Sequence, residues 1–138
     1  MKKLILVCLV ALCSLPAFSQ SAWEITWDFY GIRHQGLMML DDDNTGFFRV
    51  NCYNLYYGNL IDVVDQDVIA RSVYDGVVLN CYNPRSAYST MYSADNFKIF
   101  QNGAMYMMDD SGNWSTMITM SEVRLSNLNR MLIKYGLK

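Results

Sequence analysis

Apolar and polar residues alternate along most of this chain with the period of two that β-strands show. From Trp23 to Phe29 the alternation places both tryptophans and Ile25 on the same face as Phe29, which predicts a first strand. Residues 37–40 and 47–53 flank the polar run Asp41-Asp42-Asp43-Asn44-Thr45-Gly46. A turn at that run predicts a hairpin between these two segments.

The middle of the chain predicts a second pair of strands. Residues 54–60 are rich in Tyr, Gly and Asn and indicate a wide loop, whereas the β-branched residues of 61–74 favour a strand over a short helix. Asp75-Gly76 predicts a tight turn before a partner strand at 77–81. We expect Asn83-Pro84 to end that strand and to open the longest loop of the protein.

Three shorter strands and a change of period complete the chain. The strands are predicted at residues 96–100, 104–108 and 114–120. From Ser121 onward apolar residues recur at helical spacing, and Ser121 suits the N-cap of a helix at about 121–135. The sequence therefore predicts a mainly β fold. It is an antiparallel meander of about eight strands, closed as a barrel or split into a two-sheet sandwich, with a C-terminal amphipathic α-helix.

Residues 1–19 predict a cleavable signal peptide. Two lysines give it a positive start, residues 4–15 are uncharged, and Ala17-Phe18-Ser19 places small residues three and one positions before a cut at Gln20. The apolar run is too short to span a bilayer as a helix. We therefore expect no transmembrane segment and an exported protein, either periplasmic or extracellular.

Lipid attachment at Cys13 is the alternative to a cut at Gln20. A cysteine that closes the apolar run resembles the signal of a bacterial lipoprotein, and the lipid would anchor the protein at a membrane surface. Leu12 stands where those signals carry a small residue. This difference favours cleavage without a lipid.

After cleavage, residues 20–138 fit one β-rich domain of common size. They hold 9 basic and 13 acidic side chains, which gives a net charge of −4. No basic stripe lies along the body of the domain, so we expect no nucleic-acid partner. The many aromatic residues indicate an ordered chain, since disordered segments carry few of them.

Cys52 and Cys81 are the two cysteines that remain after cleavage. Both stand in the sequence Asn-Cys-Tyr-Asn, which recurs at an offset of 29 residues, and strand alternation points both thiols into the core. In an oxidising compartment this favours a disulfide, worth about 3 kcal/mol for a loop of this length. Two buried free thiols are the alternative, and the lack of Cys-x-x-Cys spacing disfavours a catalytic pair.

The turn from Asp41 to Gly46 resembles the first half of an EF-hand calcium loop. Asp41, Asp43 and Thr45 are therefore candidate ligands of a weak calcium site. Cys52 stands where that motif has its bidentate Glu, and strands rather than helices are predicted on both sides, so an acidic hairpin turn is favoured. The similar turn at 109–112 could complete a weak site if the two turns lay close together. We expect no other metal and no cofactor.

Candidate catalytic groups are few. His34 is the only histidine, which excludes a multi-histidine zinc site, and it neighbours a predicted exposed turn at Gln35-Gly36. No nucleophile elbow, phosphate loop or dinucleotide motif is present. We expect no enzyme and no catalytic residue, with a carboxylate-based hydrolase as the alternative that sequence alone leaves open.

Three tyrosines in and beside the predicted loop, Tyr53, Tyr56 and Tyr57, are the best binding candidates, because tyrosine offers a large contact area and a hydroxyl group. Ordinary loop packing is the alternative. We expect a small exported protein that binds an unknown protein or small molecule without catalysis.

The tryptophan-rich first strand, the series of hairpins and the closing helix resemble the architecture of a lipocalin-type barrel. The Gly-x-Trp motif of that family is Ile25-Thr26-Trp27 in this chain, so the resemblance transfers no residue. It implies an alternative function, a lipocalin-like carrier of a small apolar ligand. A carrier of that kind needs an apolar cavity inside the barrel.

Overall fold

The computed structural model describes residues 20–89 and 91–138. The predicted signal peptide and Cys13 lie outside these residues. Within them, no helix has the length and apolar character needed to cross a membrane.

Nine antiparallel strands form a single sheet that curls into a nearly closed barrel, and one short helix follows. The mainly β meander with a C-terminal helix is confirmed, and it is a barrel. The strands and helix in chain order are β1 (Gln20–Phe29), β2 (Ile32–Asp41), β3 (Thr45–Asn54), β4 (Leu60–Val73), β5 (Gly76–Ser86), β6 (Asn96–Phe100), β7 (Met105–Met108), β8 (Trp114–Met117), β9 (Thr119–Glu122) and α1 (Leu125–Lys134).

The barrel is closed by the segment that the sequence predicts as one strand at 114–120. Its first part, β8, pairs with β7, and its second part, β9, pairs with β1 at the other edge of the sheet. Ile118 separates the two parts, donates its N–H to the carbonyl of Met105 at 3.3 Å and buries its side chain in the core. One segment therefore covers both sheet edges, which gives nine strands instead of eight.

The first hairpin is tighter than the sequence predicts. β2 starts at Ile32, because Tyr30 and Gly31 both have positive φ (48° and 74°) and form a two-residue turn whose twist suits a hairpin. His34 and Gly36 are therefore strand residues, and the exposed turn expected at Gln35-Gly36 is wrong. A turn that begins with tyrosine has a weak sequence signal, since this conformation favours Asn or Gly.

Asn83-Pro84 does not end β5, which continues to Ser86. The pairing with β4 shifts between Asp65 and Asp67, so that β5 bulges where Asn83 has φ of 55° and Pro84 follows. A bulge leaves residues out of the hydrogen-bonded ladder, and it is one of the few places in a sheet that tolerate proline. The predicted strand end is wrong because a bulge and a turn share the same residue types.

The helix α1 is shorter than predicted. Ser121 does not cap it, because residues 119–122 pair with β1 as β9, and the residue before the helix is Arg124, which makes no side-chain cap. Its apolar face, formed by Leu128, Met131, Leu132 and the following Tyr135, packs outside the barrel against Ala22 and Leu37.

Polar contacts fasten the end of α1 to β1 and β3. The Glu24 carboxylate of β1 accepts hydrogen bonds from Lys134 Nζ (2.7 Å) and the Tyr135 hydroxyl (2.5 Å). Arg49 of β3 pairs with both oxygens of Asp65 on β4 and donates to the carbonyls of Tyr135 and Gly136. The guanidinium therefore caps the helix at its negative end.

The centre of the barrel is packed with aromatic rings. The ring of Trp27 lies 6.3 Å from that of Phe48 and 5.3 Å from that of Phe97, and the last two are 5.6 Å apart. Gly36 on β2 makes room for this packing, because a Cβ atom there would lie 2.4 Å from the Phe48 ring.

Gly36→Ala is therefore expected to lower the free energy of unfolding by about 1 to 3 kcal/mol, the usual cost of overpacking a core. Urea denaturation of the wild type and the variant measures the loss. In a Phe48→Leu background the same change should cost less, because the ring is gone and the close contact of the new Cβ with the Arg49 carbonyl oxygen, at 2.8 Å, is the one that remains. Equal costs in the two backgrounds would contradict this packing.

Candidate functional site

Exposed tyrosines gather at one end of the barrel. Successive connections of a meander alternate between its two ends, so the β1–β2, β3–β4, β5–β6 and β7–β8 connections share one end, which we call the loop end. The first three of these connections carry Tyr30, Tyr56, Tyr57 and Tyr88, whose side chains are 84%, 86%, 78% and 75% exposed. We call these four residues the aromatic rim.

The backbone of the β3–β4 loop is held by hydrogen bonds. The side-chain oxygen of Asn54 accepts the N–H groups of Tyr56 (2.8 Å) and Tyr57 (2.9 Å), and the Asn54 carbonyl accepts that of Gly58. Leu55 donates to the carbonyl of Gly31 at 3.0 Å, which joins this loop to the β1–β2 turn. The phenol rings are therefore exposed on a fixed backbone.

The start of the β5–β6 connection is held by a buried carboxylate. Asp62 points into the barrel from β4, and its oxygens accept hydrogen bonds from the Ser86 hydroxyl (2.5 Å), the Tyr88 N–H (3.1 Å) and the Val63 N–H (2.9 Å). The Ala87 N–H adds a bond to the Val63 carbonyl. Asp62 thus fixes the backbone position of the rim residue Tyr88.

The end of the same connection is held by a second buried carboxylate, Asp95. One of its oxygens accepts hydrogen bonds from the Gln66 side-chain amide (2.8 Å) and the Tyr92 hydroxyl (2.9 Å), while its N–H donates to the Gln66 side-chain oxygen. Its own backbone carbonyl accepts the N–H of Cys81. Burial raises the pKa of Asp95 to about 6.

His34 lies in this polar part of the interior, where the sequence predicts an exposed turn. Its ring stacks on Trp27 with a centroid distance of 4.7 Å and an angle of 4°, and Tyr92 lies 6.3 Å away. Nδ1 is buried and has no hydrogen-bond partner in the described part of the chain. Burial lowers the pKa of His34, so the neutral imidazole is favoured.

Cys52 and Cys81 point into the core as expected, but the predicted disulfide is absent and both thiols are free. β4 lies between their strands, and they pair with Asp62 and Val68, positions six residues apart on it. Cα atoms about 7 Å apart or more cannot be bridged, and two intervening strand spacings already total about 9.6 Å. Burial raises the pKa of the Cys52 thiol to about 12.

The candidate calcium ligands Asp41, Asp43 and Thr45 lie at the opposite end of the barrel from the turn at 109–112, so the two acidic turns do not combine. One oxygen of Asp43 accepts both the N–H and the hydroxyl of Thr45, which is the internal bonding of an acidic hairpin turn. In residues 20–89 and 91–138, no three acidic, histidine or cysteine side chains are grouped to hold a metal ion.

The structure separates the three predicted tyrosines. Tyr56 and Tyr57 belong to the aromatic rim, whereas Tyr53 lies half-buried within β3, where its hydroxyl is 3.5 Å from the amide of Asn51. The sequence prediction omits Tyr30 and Tyr88, which belong to other connections. The alternation of loops in a meander is the signal that could have grouped them.

If the thiols are free, a chain without residues 1–19 should take up two alkyl groups after unfolding without any reductant, and almost none while folded. Burial and the raised pKa of Cys52 both protect the native thiols. Intact mass after iodoacetamide treatment at pH 8 measures this. Tyr74→Cys, at a residue that is 97% exposed, is the control that should react while folded. If the unfolded protein is labelled only after reduction, Cys52 and Cys81 form a disulfide and the free thiols are contradicted.

Asp95→Asn should gain stability relative to the wild type as the pH rises from 4 to 7. The folded state raises this pKa from 3.8 to about 6, so the contribution of Asp95 to stability is complete below about pH 4 and is lost as the pH rises to 6. The variant cannot titrate, and its relative stability should increase by about 2 to 3 kcal/mol between pH 4 and pH 7. Urea denaturation across this range measures the difference in unfolding free energy between variant and wild type. The titration of His34 cancels in this difference because both proteins contain it. A difference independent of pH would contradict the assignment.

Comparison of the chain with protein-family models, with curated proteins and with solved structures finds no match in any of the three. Functional conclusions therefore depend on the geometry of this barrel. Its two distinctive features are the aromatic rim and the buried carboxylates Asp62 and Asp95 beneath it.

Proposed function

We propose that this protein is a small exported binding protein that acts without catalysis and contacts its partner through the aromatic rim. The observation that carries the proposal is the exposure of four tyrosines, each by at least 75%, on three neighbouring connections. The loops around them are rich in Tyr, Ser, Asn and Gly, the composition that antibody binding loops use. Tyrosine suits this role because a large contact area is ordered by fixing only two side-chain torsions.

The fixed backbone of the loop end supports binding. Asn54 holds the loop of Tyr56 and Tyr57, and Asp62 holds Tyr88, so these residues are positioned before a partner arrives. A surface that is ordered in advance loses less conformational entropy on binding. This lowers the cost of association for a contact area of modest size.

The bonding of the buried carboxylates also favours a non-enzymatic role over the carboxylate-based hydrolase. Asp62 accepts three hydrogen bonds and Asp95 accepts two, all from groups of the protein itself, so both carboxylates hold loops in place. Cys52 carries a protonated thiol at neutral pH because its pKa is about 12, which makes it a poor nucleophile.

The packed rings of Trp27, Phe48 and Phe97 favour the rim over the interior as the contact surface. A lipocalin-like carrier would hold its apolar ligand where these rings meet. Export to the periplasm or the exterior remains part of the proposal and is supported by the signal-like residues 1–19. It would place the rim where extracytoplasmic partners are present.

The proposal predicts that partner capture depends on the rim. Tyr56→Ala/Tyr57→Ala should reduce at least tenfold the amount of the main molecule that co-purifies with the tagged protein from its native periplasm or medium, because two contact rings are lost. Tyr74→Ala is the matched control, since Tyr74 is 97% exposed at the opposite end of the barrel.

Quantitative mass spectrometry, with carbohydrate analysis of the eluate, measures the captured molecules. Circular dichroism and thermal unfolding verify that the variants keep the fold. Equal loss for the rim variant and Tyr74→Ala, or no loss for either, would overturn the rim as the contact surface.

A further inference from the structure

The rim residues belong to three segments of the chain that contain no charged residue. Residues 29–32, 54–61 and 86–94 include no Asp, Glu, Lys, Arg or His, and the carboxylates that follow two of them, Asp62 and Asp95, are buried. The mature chain as a whole has 22 charged residues, so a charge-free surface that spans three connections is a distinctive part of the molecule.

The nearest charges beside these segments neutralise one another. Arg33 donates to both oxygens of Asp28 at 2.8 and 2.9 Å, next to the β1–β2 turn. Arg85 pairs with Asp67 beside the β5–β6 connection. The fourth connection of the loop end carries Asp109 and Asp110, which would repel an anion. A neutral partner suits this surface better than an acidic one.

From these observations we infer that the partner is a neutral carbohydrate chain, bound across the rim. The inference rests on the proposed function, which makes the rim the contact surface. The flat C–H face of a sugar ring stacks on an exposed aromatic ring without needing charge, and its hydroxyl groups need neutral donors and acceptors at the edges. The phenol hydroxyls and the exposed side chains of Asn59, Ser89 and Ser93 supply them.

The order of exposure favours a carbohydrate over a lipid surface. The aliphatic side chains Leu55, Leu60 and Ile61 are only 36–47% exposed, whereas the four rim tyrosines are 75–86% exposed. Apart from Met91, the most exposed large side chains of these connections therefore end in hydroxyls. A loop that inserts into a bilayer has its most apolar groups outermost.

The size of the rim points to a chain of several sugars. Four strand spacings separate the β1–β2 turn from the β5–β6 connection, an arc of about 19 Å at 4.8 Å per spacing. That arc is several times the width of one sugar ring. Separate tyrosines along it would then contact successive sugars, and affinity would rise with chain length.

The test titrates the full exported protein with neutral glycans of defined length by calorimetry. The probes are β-1,4-glucan oligomers of two and six sugars, mannan, xylan and dextran, with alginate as an anionic glycan and phosphatidylcholine vesicles as a lipid surface. At least one neutral glycan should bind, with at least tenfold higher affinity for the longer chain and less than a twofold change between 50 and 500 mM NaCl.

Variants separate stacking from hydrogen bonding. Tyr56→Ala/Tyr57→Ala and Tyr88→Ala should each weaken binding at least tenfold, Tyr57→Phe should weaken it only a few-fold, and Tyr74→Ala should leave it unchanged. Binding of alginate or vesicles alone, or of no neutral glycan, overturns the carbohydrate assignment.

The same series distinguishes this failure from failure of the proposed function. If a protein from the native medium is captured through the rim and none of the glycans binds, the rim remains a binding surface but its partner is not a carbohydrate. Glycan binding that the rim variants do not alter would overturn both.

Discussion

Both edges of the curled sheet are paired by one segment, and the rest of the fold depends on this pairing. The first half of residues 114–122 pairs with β7, and the second half pairs with β1. Closure brings β1 and β7 within reach of one strand, and it completes the cylinder that encloses the rings of Trp27, Phe48 and Phe97. It also delivers the chain to the outside of β1, where α1 packs on Ala22 and Leu37. Without this closure neither the enclosed core nor the docking position of the helix would form.

The connections at the loop end explain how the interior accommodates several polar groups. Asp62, Gln66 and Asp95 lie at the loop end of the core, where each can bond to the backbone or side chains of a connection. A buried carboxylate is costly unless it is bonded, and the loops supply the donors. The same bonds that satisfy the acids hold the two ends of the β5–β6 connection, at Tyr88 and at Asp95. Polar burial and loop order are therefore two results of one arrangement, in which Tyr92 turns inward to Asp95 while the rim residue Tyr88 faces outward.

Local patterns predicted much of the fold. Alternation identified the faces of β1, β3 and β5, and the inward direction of Cys52 and Cys81, because a strand with one buried face imposes a period of two. The errors arose where long-range pairing decides the structure. Residues 119–122 lead directly into the helical spacing of α1, yet they pair with β1, and Asn83-Pro84 forms a bulge inside a long pair. Two of the four rim residues were predicted from the sequence. Tyr56 and Tyr57 lie in one recognisable loop, whereas Tyr30 and Tyr88 are brought to the same end only by the connectivity of the barrel.

The divided closing strand has a consequence for association between copies. Its two pairings extend over three and four positions, whereas β1 to β5 pair over nine or ten, so few backbone hydrogen bonds hold this seam. A copy that has released residues 114–138 exposes the edges of β1 and β7, and the released segment of a second copy carries the matching register. Reciprocal exchange would rebuild the pairings of β8 with β7 and of β9 with β1 in an intertwined dimer. The segment that closes one barrel is thus also the element that two copies would exchange.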